Sequence, residues 1–208
     1  MATKNKLHRT KEIQKALIAQ YLLLAYNAIE AVLALFFGSV SNSIALLSFG
    51  FDSLVESAST IITTWRLRKN ARVTQEAEQE YEAIAVKFIG YSFIAVAAYT
   101  AFESVRKLLM HEIPQPSIPG VFIALASLTV MPLFAKYRHK LGHEIKSNAL
   151  VADSKQTVLC TYMSFALLAG VALNYVFGWW WADPLAGLVI AALALYEGTK
   201  ALQGKTCC

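Results

Sequence analysis

Six apolar stretches, each about as long as a bilayer-spanning helix, fill this 208-residue chain. A helix rises 1.5 Å per residue, so roughly 20 residues cross a hydrocarbon core of ~30 Å. With 56% hydrophobic and 16% charged residues, the chain is too apolar for an ordinary soluble domain. We therefore predict an all-α, polytopic membrane protein built as a six-transmembrane-helix bundle. The predicted spans are 17–38, 42–65, 84–105, 118–136, 147–174 and 179–201.

The basic residues predict the orientation of the bundle. Of the 19 Lys and Arg residues, only Arg106 and Lys107 fall on the outward connections, so the positive-inside rule places both termini in the cytoplasm. We expect a cytoplasmic N-terminal segment at 1–16, a transmembrane domain at 17–202 and a short cytoplasmic tail at 203–208. No basic stripe is interleaved with aromatic residues, so the net charge of +5 indicates orientation and not nucleic-acid binding.

Carboxylates inside the apolar stretches are the first candidate functional groups. An ionisable side chain near the bilayer midplane costs about 2.5–3.5 kcal/mol on insertion scales, and such groups usually face a polar cavity. Two of them are four residues apart in the second stretch and therefore share one helical face. The pattern predicts an ion or proton path through the bundle. The residues concerned are Glu30, Asp52, Glu56 and Asp153.

The fifth stretch supplies a second polar face. Asp153, Gln156 and Cys160 are spaced i, i+3 and i+7, which aligns them along one side of a helix. If this face lies opposite Asp52 and Glu56, the Gln156 amide oxygen and the Cys160 thiolate would complete a four-coordinate site for a divalent ion. The sulfur ligand would favour Zn²⁺ or Cd²⁺ over Mg²⁺. The alternative is that these groups are hydrogen-bonding contacts between membrane helices.

Enzymatic activity is not expected. The predicted helices contain no Ser/His or His/Glu constellation of the kind that an intramembrane enzyme needs, and no nucleotide-binding loop is present. We expect no prosthetic group, with the transported ion, protons and the lipid bilayer as partners.

Three segments resemble the cation diffusion facilitator family of metal transporters: residues 41–56, 148–153 and 183–187. In that family helix two carries acid-x-x-x-acid and helix five carries His-x-x-x-Asp, and together they bind the transported ion in a homodimer that exchanges metal for protons. The resemblance places the first pair on Asp52 and Glu56. It places the second pair on Gln156 and Cys160, which depart from the pattern, so Asp153 or Glu30 is expected to supply the missing charge.

The resemblance extends to a short form of the family. The family usually has a cytoplasmic metal-binding domain after helix six, whereas only residues 203–208 follow here, as in a short bacterial subgroup and the transmembrane-163-like branch. It implies proton-coupled efflux of Zn²⁺, or of Co²⁺, Cd²⁺, Fe²⁺ or Mn²⁺, across the bacterial inner (plasma) membrane. A homodimer would be held by helices three and six, where Gly187 and Gly198 permit close approach. The alternative function is a non-transporting membrane scaffold or accessory subunit.

Four further features of the sequence lead to expectations of their own. Asn27 lies one turn from Glu30 and is expected to face the same cavity. The pair Asp183-Pro184 predicts the start of helix six, with an aspartate cap. His139 and His143 are expected in a solvated basic loop, with metal capture as the alternative. The tail cysteines are expected to be reduced, and they could capture metal, be palmitoylated or have no role. They are Cys207 and Cys208.

Overall fold

A computed structural model describes residues 2–69, 75–115, 117–145 and 147–203 of the chain as a bundle of six α-helices. Five helices of the described part of the chain combine the length and hydropathy needed to cross a membrane. The predicted all-α polytopic membrane bundle is confirmed. The helices are α1 (Ala2–Ser41), α2 (Ile44–Lys69), α3 (Gln75–Met110), α4 (Ile118–Glu144), α5 (Asn148–Phe177) and α6 (Ala182–Leu202).

Many large apolar side chains of the bundle face outward, and polar side chains are buried inside it beside an apolar core. On α1, Ile29 and Val32 are more than half exposed, whereas Gln20 and Asn27 are completely buried. This arrangement suits a lipid environment because lipid tails are as apolar as leucine and do not drive apolar residues into the interior. Helices then associate through close packing and polar contacts.

Helix α2 lies at the centre of the bundle, where it packs against α1, α3, α5 and α6. Its interior is rich in serine and threonine, and several of these hydroxyls donate to the carbonyl four residues earlier. Examples are Ser53 to Phe49 at 3.1 Å and Thr64 to Thr60 at 2.7 Å. Such bonds satisfy polar side chains inside the helix that carries them. The central helix can therefore hold polar residues at membrane depth.

The three short connections α1–α2, α3–α4 and α5–α6 meet at one end of the bundle. Gln115 N donates to Ser41 O at 2.8 Å, and Asn174 Nδ2 donates to Pro114 O at 3.1 Å. At the same end the rings of Trp179 and Trp181 stack with centroids 5.1 Å apart. Tryptophan is enriched at membrane–water interfaces, so this end fits a headgroup boundary.

Asp183 caps a different helix from the one that the sequence predicts. Helix α6 begins at Ala182, and its N-terminus has no side-chain cap. The Asp183 carboxylate instead accepts hydrogen bonds from the Ser43 hydroxyl and from the Ile44 backbone N–H at 3.0 Å. The prediction that Asp183 caps α6 is wrong. The α5–α6 connection packs against the first turn of α2, so the Asp183 carboxylate accepts hydrogen bonds from the start of α2 instead.

Two glycines of α6 lie inside the bundle and not at a dimer contact. A Cβ atom on Gly187 would lie 2.5 Å from Ser104 Oγ, and one on Gly198 would lie 2.9 Å from Gly90 O. Both glycines are therefore used to pack α6 closely against α3 of the same chain. The expectation that they lie between two subunits is wrong.

Two segments that were expected outside the helices are helical. Helix α1 begins at Ala2, so the basic residues before the first predicted span continue in the same helix. His139 and His143 lie on α4 and not in a loop. Cys207 and Cys208 lie outside the described residues.

Candidate metal-binding site

Helix α2 presents two acids to the interior of the bundle. Asp52 and Glu56 lie one turn apart, and their exposed fractions are 3% and 0%. Asp52 Oδ1 and Glu56 Oε2 are buried and accept no hydrogen bond within the described residues. Because buried polar atoms in proteins are nearly always hydrogen-bonded, these two oxygens are candidate ligand atoms.

Helix α5 faces this pair with a hydroxyl and a thiol. Thr157 Oγ1 donates to Glu56 Oε1 at 2.7 Å. Cys160 is buried one turn after Thr157 on the same helix. Gln156 is only half-buried, and its Nε2 is buried without a partner. Of the two helix-five positions predicted from the sequence, Cys160 is buried in the bundle, whereas Gln156 is half-buried and no described hydrogen bond joins it to the acids.

Helix α1 brings a third acid to the same region. Glu30 is 4% exposed; its Oε1 accepts from the Tyr26 hydroxyl at 3.0 Å and its Oε2 from the Ser53 hydroxyl at 2.8 Å. Ser53 follows Asp52 directly in the chain, so this hydrogen bond brings Glu30 to the helix that carries both α2 acids. Asn27, one turn earlier, is fully buried, and neither its Oδ1 nor its Nδ2 has a described partner.

Asp153 has a different environment, one turn nearer the basic end of the bundle. Its carboxylate forms an ion pair with Arg138 of α4 and accepts from Ser59 at 2.8 Å and from Gln20 at 3.2 Å. Four helices thus converge on this one side chain. Asp153 is surrounded by donors, whereas the acids of α2 are not.

The interior therefore carries more negative than positive charge. Within the residues that the structure describes, no ion pair involves Glu30, Asp52 or Glu56. Burying an ionised carboxylate without a counter-charge is strongly unfavourable, so such groups bind a proton or a cation. The cluster has the charge and the donor atoms for a divalent cation.

The site is not preassembled as a tight ligand set. In the described ranges no group of three or more His, Cys, Asp and Glu side chains is arranged to hold a metal ion. Cation binding would therefore require the side chains of α1, α2 and α5 to close around the ion, with neutral oxygen donors such as Thr157 nearby.

Thr157 and Arg138 are among the residues of this region that are not predicted from the sequence alone. Thr157 lies on the same helical face as Asp153 and Cys160, at i+4 from the first, and this spacing could have revealed it. Arg138 was counted only among the basic residues that orient the chain, although its side chain is completely buried. Nothing in the local sequence separates it from its exposed basic neighbours.

The buried acids lie within a segment that matches a known protein family. Residues 21–203 match the cation efflux transmembrane domain, which covers most of the chain and all six helices at least in part. The chain belongs to the cation efflux family. The resemblance seen in the sequence is confirmed.

Several relatives of this cation efflux protein share low sequence identity with it, and two of the three that follow are named as transporters. An uncharacterised transporter of Synechocystis is 28% identical over 190 residues, covering 88% of this chain and 61% of its own. A cadmium, cobalt and zinc/H⁺-K⁺ antiporter of Bacillus subtilis is 25% identical over 198 residues, covering 92% and 61%. Transmembrane protein 163 of Xenopus laevis is 24% identical over 206 residues, covering 97% and 72%. The chain thus spans about three-fifths of the length of the first two relatives.

Proposed function

We propose that this cation efflux protein exports a divalent transition-metal ion in exchange for protons. The observation that carries the proposal is the pair of buried oxygens on Asp52 and Glu56 that have no partner among the described residues, on a helix that contacts α5 through Thr157. The Bacillus antiporter, whose name gives cadmium, cobalt and zinc as its ions, supports the same class of substrate. The ion is the cargo, and no prosthetic group is invoked.

The ligand set that we propose begins with Asp52, Glu56 and Cys160. Glu30 supplies further negative charge from α1, and Gln156 would join by rotating its amide towards the acids. A mixed oxygen and sulfur environment favours Zn²⁺, Cd²⁺ or Co²⁺ over Mg²⁺, because thiolate is a soft ligand. Asp153 forms an ion pair with Arg138, so it affects the site by positioning the Arg138 guanidinium and by its own charge.

Proton exchange follows from the charge of the empty site. With no ion-pair partner among the described residues, Glu30, Asp52 and Glu56 are expected to be neutralised by protons when no metal is bound. Metal binding requires deprotonated ligands and therefore releases those protons. Protonation from the opposite side of the membrane would then eject the ion, which gives antiport by alternating access.

We propose that both termini of the chain face the cytoplasm. Basic residues concentrate at the end of the bundle opposite the three short connections, which supports cytoplasmic termini. We propose a homodimer in the bacterial inner (plasma) membrane, on the strength of the family resemblance. Contacts between the two copies would have to use lipid-facing surfaces other than Gly187 and Gly198.

Metal flux into proteoliposomes tests the proposal. We expect Asp52→Asn and Glu56→Gln each to reduce Zn²⁺ uptake by at least about tenfold, because each removes an anionic ligand. Glu103→Gln is the matched control, since Glu103 lies near the outer end of α3 and pairs there with Arg106 at 2.9 Å. Absence of flux with wild-type protein, despite correct folding and reconstitution, would favour the alternative of a non-transporting scaffold. Wild-type flux in both acid variants would move the ion path elsewhere.

A further inference from the structure

A pair of histidines near the basic end of α4 is not part of the buried acid cluster. His139 and His143 lie one helical turn apart, and their Nε2 atoms are 3.2 Å from each other. The ring centroids are 4.7 Å apart. From this geometry we propose a second metal-binding site, formed by His139 and His143, that takes a borderline divalent cation such as Zn²⁺.

A hydrogen bond from α5 prepares one of these rings for coordination. The Ser154 hydroxyl donates to Val151 O at 2.6 Å, so its oxygen acts as the acceptor for His139 Nδ1 at 3.1 Å. His139 then carries its proton on Nδ1 and directs the lone pair of Nε2 towards His143. Metal-ligating histidines almost always donate their second ring N–H in this way, which fixes the tautomer and orientation of the ring.

The spacing of the two nitrogens matches the edge of a metal coordination polyhedron. Two ligands at a Zn–N distance of about 2.0–2.1 Å and a tetrahedral angle are separated by about 3.3–3.4 Å. The observed distance of 3.2 Å between the two Nε2 atoms is close to this value, so the two rings need to move little to bind one ion. Without metal, the His143 Nε2–H can donate to His139 Nε2; with metal, His143 carries its proton on Nδ1 and both Nε2 atoms bind the ion.

The chemistry of the pair selects the class of ion. Imidazole nitrogen suits Zn²⁺, Co²⁺, Ni²⁺ and Cu²⁺ and disfavours Mg²⁺ and Ca²⁺. Two histidines at i and i+4 on a helix are a known arrangement for zinc. Since no third His, Cys, Asp or Glu completes a cluster within the described residues, water would fill the other positions and the ion would exchange readily.

The pair is accessible from the aqueous phase. Helix α4 has 27 residues, and a helix of that length spans about 40 Å, which exceeds a hydrocarbon core of ~30 Å. His143 lies in its last turn and is exposed, whereas His139 is half-buried. Ser154 follows Asp153 directly, so the pair adjoins the polar interior. Delivery of an ion to the acids from here rests on the proposed function; binding at the pair does not.

Measuring Zn²⁺ binding to the purified full chain in detergent tests the site. The chain used carries Asp52→Asn and Glu56→Gln, which remove the acid cluster as a competing site. We expect one Zn²⁺ to remain bound, and His139→Gln or His143→Gln to weaken it by at least about tenfold through loss of one of two ligands. His111→Gln is the control, because that exposed histidine packs against Trp180 at the other end of the bundle. Unchanged affinity in His143→Gln, or an equal loss in His111→Gln, would overturn the proposal.

Electron paramagnetic resonance of bound Cu²⁺ gives a readout that misfolding does not imitate. In the same Asp52→Asn, Glu56→Gln background, we expect coupling to two imidazole nitrogens when both histidines are present and to one when either is replaced by Gln. A spectrum that is the same with and without His143 would overturn the site. The result is independent of transport, since it can hold in a protein that moves no metal.

Discussion

Arg138 on α4 and Asp153 on α5 form an ion pair from which solvent is excluded, with side-chain exposed fractions of 0% and 2%. Arg138 also donates to Thr157 Oγ1 at 2.8 Å, and that hydroxyl donates to Glu56 at 2.7 Å. A permanent positive charge is thereby connected to one of the two α2 acids through a single hydroxyl. The Arg138–Asp153 ion pair, on one side of Thr157, therefore affects the electrostatic environment of Glu56, on the other side.

Arg138→Gln should destabilise the protein by about 3–5 kcal/mol, because it leaves the buried Asp153 without its counter-charge. Asp153→Asn should be destabilising for the converse reason. The double variant should lose less than the sum of the two, since neither charge is then left unpaired. Thermal unfolding in detergent measures all three. Additive losses would show that the two residues do not act as a pair.

Thr157→Val should leave the fold intact and weaken metal binding, because it removes the hydroxyl between Arg138 and Glu56 while nearly preserving shape. Thr157→Ser keeps the hydroxyl and serves as the control. We expect a several-fold rise in the Zn²⁺ concentration for half-maximal flux in the valine variant only. If both variants matched wild type, Thr157 would be a packing residue.

Cys160→Ser should weaken binding of Cd²⁺ more than that of Mn²⁺, because a hydroxyl replaces a soft sulfur ligand. Cys160→Asp, which restores the residue type that the family pattern has at this position, should shift preference towards harder ions. Calorimetric titration of the purified protein with each ion compares the variants. Equal losses for Cd²⁺ and Mn²⁺ in the serine variant would mean that Cys160 only packs against the acids.

Asp183→Ala should reduce stability by about 0.5–2 kcal/mol, the usual range for loss of a helix cap. Its carboxylate satisfies the Ile44 N–H and the Ser43 hydroxyl at the start of α2. Asp183→Asn retains a side-chain oxygen and should lose less. The melting temperatures of the two variants in detergent make the comparison, and equal losses would argue against a capping role.

The fold was largely predictable from the sequence because membrane insertion depends on local properties. Apolar runs of sufficient length must form helices, since their backbone N–H and C=O groups would otherwise lack hydrogen-bond partners in lipid. The acids at Asp52 and Glu56 were recognisable for the same reason, because charge is rare within such runs. Their spacing alone placed both on one face of α2.

What could not be predicted depends on contacts between distant segments. Asp183 caps α2 because the α5–α6 connection returns to the start of that helix, and no local pattern reveals this contact. Arg138 looks like an exposed basic residue until α4 is placed beside α5. The alignment of His139 with Ser154 likewise exists only in the packed bundle, although the i, i+4 histidine spacing is visible in the chain.

Simultaneous recording of luminal pH and luminal Zn²⁺ in proteoliposomes, at clamped membrane potential, tests the central claim most directly. If the buried acids exchange protons for metal, an acidic lumen should accelerate Zn²⁺ entry, each entry should carry protons outward, and Asp52→Asn should remove both signals together. Zn²⁺ entry through the wild-type protein with no linked proton movement would contradict antiport at these acids and indicate a passive metal pathway.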